Sequence, residues 1–236
     1  MKPEYHSDQL TVYRVEVTQV VQNARVIVTP PLEEGSAPSA IIVDPGGEAH
    51  KIIEIISQVK ADVKSIWLTH SHFDHCGGVA AILRSFPVPL YAHPNEFEMR
   101  RMIAERARLF GLIGEELEDC PEPSNPLTGE EEIYWGNNKG KVLFVPGHSP
   151  GHLAFYFPDC GVIFSGDVLF ATSIGRTDLP GGSYQTLLNS IVEKLCNLPD
   201  STLVFSGHGE TASLGEIKRF NPFLREFSNR SLVTGS

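Results

Sequence analysis

Apolar positions recur along this chain with two distinct periods. Thr11–Thr18 alternates polar and apolar residues, as a half-buried strand does. Arg25–Thr29 and Ala40–Val43 are short and β-branched, and the intervening Pro30–Pro38 reads as a loop. After Asp44-Pro-Gly-Gly the period lengthens. Ile52, Ile53, Ile55, Ile56 and Val59 predict a helix over Ala49–Lys60. Ser65–Thr69 is an apolar strand, Gly77–Ser85 a helix, Pro89–Ala92 a strand and Asn95–Leu112 a further helix. Gly114–Gly129 is an acidic, Pro-containing connection, expected to be a mobile excursion or a lid. The second half repeats the style, with strands at Glu132–Trp135, Lys141–Val145, Leu153–Phe157 and Val162–Phe164. A helix at Ser183–Leu198, a strand at Leu203–Phe205 and a helix over Glu216–Ser228, broken near Asn221-Pro222, complete it. Two batches of strands, each followed by helices, suit two sheets sandwiched between helical layers. No composition shift marks a boundary, so residues 1–236 are read as one domain.

Composition narrows the function. Of 236 residues, 41% are hydrophobic and 20% charged, which is ordinary for a folded protein. Lys and Arg number 19 against 29 acids, a net charge of -10, which disfavours a nucleic-acid partner. No stretch approaches a membrane span. The polar start MKPEYHSDQL lacks the apolar core of a signal peptide, and Cys76, Cys120, Cys160 and Cys196 form no CxxC pair. A reducing, cytoplasmic setting with free thiols is therefore expected.

The chemistry concentrates where strands end. His70, His72, Asp74 and His75 lie within six residues, directly after an apolar strand. Imidazole nitrogen and carboxylate oxygen suit zinc, iron or manganese. On a turning segment successive side chains diverge, so His70 and His72 can face one cation and Asp74 and His75 a neighbour. Three further strands end in the same manner: Pro146-Gly-His148, Ser165-Gly-Asp167 and Ser206-Gly-His208. A glycine precedes each donor and permits close backbone approach. His152 is a candidate for orienting the donors, although a satisfied histidine at a strand start fits it equally. Cys76 is expected to face the core, and His6, His50 and His93 the surface.

The order His-x-His-x-Asp-His, then His, Asp and His, resembles the metallo-β-lactamase superfamily across almost the whole chain. The resemblance implies an α/β fold, the αββα four-layer sandwich. It places His70, His72 and His148 on a first metal, Asp74, His75 and His208 on a second, and Asp167 between them. Two divalent cations are implied, zinc first, with iron or manganese as alternatives. Two metals that share a water lower its pKa toward ~7 and give a nucleophilic bridging hydroxide. Asp74 and Asp167 are then the catalytic carboxylates.

Within the superfamily, a bridging aspartate at 167 argues against antibiotic hydrolysis, and His72 stands where flavodiiron proteins carry Glu. Gly175-Arg-Thr-Asp-Leu-Pro-Gly-Gly182 and the tail from Ser213 to Leu224 resemble short bacterial glyoxalase II-like proteins. That likeness implies a thioesterase that turns S-lactoylglutathione into lactate and glutathione. Glutathione carries two carboxylates and calls for basic contacts. Arg176 could reach the site mouth. Lys218 and Arg219 fit either a second contact or an ordinary solvated helix face, and Tyr184 is a further candidate. The alternatives are a glutathione persulfide dioxygenase with one iron on His70, His148 and Asp167, another ester or lactone hydrolase, and a metal-binding protein without turnover.

Overall fold

The computed structural model describes residues 2–112 and 117–225. Among these, one sheet runs in the order β1 (Tyr5–His6), β2 (Thr11–Val17), β3 (Gln22–Thr29), β4 (Ser39–Val43), β5 (Asp62–Trp67), β6 (Leu90–Ala92) and β7 (Asn125–Pro126). The second comprises β8 (Glu132–Trp135), β9 (Asn138–Phe144), β10 (Leu153–Phe157), β11 (Val162–Gly166), β12 (Leu203–Ser206) and β13 (Ala212–Ser213), paired in that order. The helices are α1 (Ala49–Val59), α2 (Phe73–Cys76), α3 (Val79–Ser85), α4 (Phe97–Arg100), α5 (Ile103–Leu109), α6 (Tyr184–Ser190) and α7 (Leu214–Phe220).

Three apolar clusters separate these elements into four layers. Val12, Ile27, Ile41 and Trp67 of the first sheet meet Phe155, Phe157, Phe164 and Phe205 of the second in a central core. There the Trp67 and Phe157 rings stack at 5.9 Å and 3°. Ile52, Ile55 and Ile56 of α1, with Val79 and Ile82 of α3 and Ile103 of α5, cover the outer face of the first sheet. Leu187 and Leu188 of α6 and Leu214 and Ile217 of α7 cover the second. The αββα sandwich expected from the strand batches is the observed fold.

The strand directions decide where the chemistry can sit. β4 pairs parallel with β5, and β11 parallel with β12. Parallel neighbours end on the same edge, so Asp44, His70, Asp167 and His208, each just past such an end, gather on one rim of the sandwich. The two sheets are stitched at that rim: Leu153 N donates to Thr69 O at 2.7 Å, and Asn23 N to Gly207 O at 2.7 Å.

Several elements depart from their expected bounds. The helix expected over Asn95–Leu112 is a 3-10 turn at Pro94–Glu96 followed by α4 and α5. The break at Arg101–Met102 accompanies a buried Arg100, whose guanidinium turns inward to His93 O, Ser71 Oγ and Glu122. β3 begins three residues earlier than expected, at Gln22, because the polar Gln22, Asn23 and Arg25 are buried rather than in a turn. The helix expected over Ser183–Leu198 is α6, capped by the Ser183 side chain, and a π-type turn at Ile191–Leu195. The last helix starts at Leu214, where Ser213 and Glu216 cap it reciprocally, breaks at Asn221 as expected and resumes over 222–225. The expected continuation to Ser228 lies outside the described residues, as do residues 114–116 of the Gly114–Gly129 connection. The described part of that connection is tied down: Cys120 N donates to Arg100 O, β7 joins the sheet edge, and Leu127 enters the central core.

Candidate metal centre

His70 and His148 each have one ring nitrogen committed away from the centre. His148 Nδ1 donates to the carbonyl of Arg176 at 2.8 Å. Thr69 spends its hydroxyl proton on Asp44 Oδ2 at 2.6 Å, so its oxygen accepts from His70 Nδ1 at 3.1 Å. These bonds leave the lone pairs of His70 Nε2 and His148 Nε2 facing inward, where they meet His72 Nδ1. The three nitrogens stand 3.0, 3.3 and 2.9 Å apart. Burial lowers the pKa of all three rings. His70 falls well below the usual value, with like-charge repulsion from His75 next in weight, and His72 falls to about 3. Three buried lone pairs converging this closely form a site that a cation would satisfy better than protons.

A second donor set adjoins the first. His75 Nδ1 donates to Asp44 Oδ2 at 3.0 Å, which turns its Nε2 toward Asp167 Oδ1 at 3.3 Å and Asp74 Oδ2 at 3.8 Å. His208 Nε2 lies 3.2 Å from Asp74 Oδ2 and 3.6 Å from Asp167 Oδ2, the same oxygen that stands 3.7 Å from His148 Nε2. Burial opposes charge on His75, but Asp167, Asp74 and Asp44 outweigh it and hold its pKa well above the usual value. Asp167 is the converse: burial opposes its charge, and His75, His208 and His148 still push its pKa far down. Two carboxylates in this pocket thus demand positive charge beside them.

The donor chemistry fits a metal. His70, His72 and His148 can share one cation, and Asp74, His75 and His208 another. His75 Nε2 and Asp167 Oδ1 are buried without an aligned hydrogen-bond partner, which is costly unless a cation satisfies them. Crowding also requires the glycines. A Cβ at Gly207 would sit 2.1 Å from Asp167 Oδ1, and one at Gly166 (φ +51°) 2.3 Å from Thr69 Oγ1.

All seven donors named from the sequence come together. His152 is buried behind them. Its Nε2 accepts from Asp167 N at 3.1 Å, and its ring stacks on His70 at 4.7 Å. Cys76 is buried, with its thiol donating to His72 O at 3.4 Å. His6 and His50 are exposed. His93 is not at the surface as expected: it is buried, stacked on Phe144 at 5.0 Å, and its Nδ1 accepts from Asn95 N.

Beside the donors opens a cavity of about 420 Å³, lined by His148, Asp167, Phe170, Thr172, Arg176 and His208 among others. Arg176 lines it, but its guanidinium is bound by both oxygens of Asp178 at 2.7 Å. Lys218, Arg219 and Tyr184 are not among its lining residues. Lys218 pairs with Asp200 at 2.6 Å, Arg219 lies over the Phe220 ring, and Tyr184 is half-exposed at the start of α6. Asp44 was missed. Its only signal was an acid just past an apolar strand and before small residues, the same context as Asp167. Asn23 and Arg25 were missed too; both hold the His208 loop, through Ser206 O and, for Asn23, Gly209 O.

An αββα sandwich carrying two His/Asp donor sets on one rim defines a metal-binding hydrolase class. The chain belongs to the metallo-β-lactamase superfamily, whose sequence profile matches residues 38–208. The probable metallo-hydrolase YqgX of Bacillus subtilis is 41% identical over 189 residues, 80% of this chain and 88% of YqgX. The hydroxyacylglutathione hydrolase GloC of Haemophilus influenzae is 38% identical over 192 residues, covering 80% and 89%. Among solved structures, TTHA1623 in a di-iron-bound form superposes with a TM-score of 0.78 at 37% identity, over 90% of this chain and 100% of that one. The BLEG-1 B3 metallo-β-lactamase superposes at 0.79 with 36% identity, over 90% and 99%.

Proposed function

We propose that this chain is a binuclear metallohydrolase that cleaves thioesters, with hydroxyacylglutathione as the substrate class. The observation that carries the binuclear reading is the Asp167 carboxylate, which directs Oδ1 at His75 and Oδ2 at both His148 and His208. In this reading His70, His72 and His148 hold one cation, Asp74, His75 and His208 the other, and Asp167 both. Two divalent cations there supply Lewis acidity and a water of lowered pKa. The protein supplies the rest. Asp44, through Thr69 and His75, fixes which ring nitrogens face inward. Asp74, besides helping to hold a cation, would orient the attacking water. Cys76 faces away from the site, so no side-chain nucleophile is required. A thioester suits such a site because its carbonyl is electrophilic and its thiolate leaves without strong acid assistance.

The likeness to GloC supports the thioester class, and the cavity at Phe170–Arg176 gives the substrate room beside the donors. The four free cysteines agree with a reducing, cytoplasmic compartment. β-Lactam opening is the second reading: the likeness to BLEG-1 favours it, and a bridging Asp167 argues against it. The test measures metal content and turnover on one sample, with S-lactoylglutathione and a chromogenic cephalosporin as substrates. Two metals per chain with fast thioester cleavage are expected. Faster cephalosporin cleavage would replace the thioester reading with the second one. One iron per chain, no thioester cleavage and oxygen uptake with glutathione persulfide would overturn both.

A further inference from the structure

Glu96 ends the 3-10 turn before α4, is 1% exposed, and touches none of the seven donors. Its Oε1 accepts from Gly151 N at 3.0 Å and from the hydroxyl of Ser149. The hydroxyl and amide of Ser71 also lie beside the carboxyl and favour its charge, against the burial that raises its pKa. Arg100, fully buried, completes the arrangement: its guanidinium donates to Ser71 Oγ at 3.4 Å and to His93 O at 3.0 Å. Glu96 Oε2 has no aligned hydrogen-bond partner, so the bonded link to the Ser71 loop is the one from Arg100, four residues along the same segment.

The contacts matter because of where they fall in the chain. Ser71 stands between His70 and His72, and Ser149 follows His148. Those three rings form the first donor set, yet they come from loops 78 residues apart on different sheets. From behind, Glu96 bonds the His148 loop and Arg100 of the same segment bonds the loop between His70 and His72. The fit is close, since a Cβ at Gly151 would lie 2.6 Å from Glu96 Cγ. A carboxylate withdrawn from water costs several kcal/mol unless it is well partnered, so a purely space-filling role would favour an apolar residue at this position.

We propose that Glu96 is a positioning residue: together with Arg100 on the same segment it clamps the His148 loop to the His70–His72 loop and thereby sets the spacing of the three nitrogens and their affinity for a cation. The inference rests on the proposed metal centre but on no particular substrate. The clamp is expected to act on the first donor set, because His75 has a hold of its own on Asp44 and the His208 loop is held by Asn23 and Arg25.

The experiment is stepwise Zn(II) binding to full-length protein, measured against a chromophoric chelator, with Co(II) absorption spectra of the same variants. Glu96→Gln keeps the shape and weakens the grip on Ser149 and Gly151. Ser149→Ala removes one donor and serves if Glu96→Gln folds poorly. Each variant is expected to weaken one of the two binding steps on the order of 10-fold to 100-fold. The other step stays within about twofold, and the Co(II) bands of the weakened site shift. Two unchanged steps with an unchanged spectrum overturn the clamp. So does equal weakening of both steps with a matching fall in the melting temperature of the metal-free protein, which a general packing role produces. A wild-type chain that binds one cation overturns the binuclear reading, and the clamp is then judged on that one step.

Discussion

Asp167 owes its position to its immediate neighbours. Gly166 adopts a left-handed φ, which turns the chain just before the carboxylate, and His152 accepts the Asp167 amide from behind. The two Asp167 oxygens lie within 3.7 Å of His75, His208 and His148, rings of both donor sets. Asp167→Ala is therefore expected to lower the metal content from two per chain to at most one and to cut turnover on the order of 10³-fold. Elemental analysis with kinetics checks it, and two retained metals with normal turnover would remove Asp167 from its bridging place. At this scale the donors were legible because each followed an apolar strand and, in three cases, a glycine. Asp44, Glu96 and Arg100 were not. Their partners lie at the end of the next strand, in a separate loop or across the sandwich, and no spacing rule links them. A buried acid that acts through other side chains leaves no periodic trace.

Elements were legible where one apolar period ran unbroken, as in α1, and misread where a polar residue turned inward. The stretch after His93 has helical composition, but Pro94 sets a 3-10 turn and the buried Arg100 precedes a break. The turn that feeds β8 carries its own pH dependence. Glu131 accepts from the Thr128 amide and hydroxyl, both at 2.7 Å, and from the Gly129 amide at 2.8 Å. Burial opposes its charge, but these donors outweigh it, and its pKa falls from 4.5 to about 2. In the unfolded chain Glu131 takes up a proton first as pH drops. Its contribution is thus complete above pH 4.5 and disappears as pH falls toward 2. The melting temperatures of wild type and Glu131→Gln should differ most above pH 5 and converge through that window. A gap that is constant across the window would show that the charge contributes nothing.

The molecule as a whole is held by the seam between its sheets. Phe157 lies at its centre, stacked on Trp67 and met edge-on by Trp135 at 5.6 Å. Gly140 approaches so closely that a Cβ there would be 2.6 Å from the Phe157 ring. Phe157→Ala leaves a cavity that neither sheet can close, and should cost about 3–5 kcal/mol. That is a large share of the roughly 5–15 kcal/mol by which such domains are stable. Urea unfolding measures it, and a loss under about 1 kcal/mol would place the main stabilisation in the outer helical layers instead. The four-layer arrangement was legible because strand batches and helix batches alternate. The shared rim was legible only in outline, since parallel pairing of β4 with β5 and of β11 with β12 is a long-range fact.

Because donors stand at the ends of successive strands, they leave the ribosome in a fixed order. The His70–His75 group emerges first, followed by His148, then Asp167, and finally His208. A nascent chain that has reached β10 already carries three ring nitrogens able to trap a stray ion, whereas the second donor set stays incomplete until β12 is made. On the binuclear reading, a chain stalled before β12 would hold a complete first donor set and an incomplete second one.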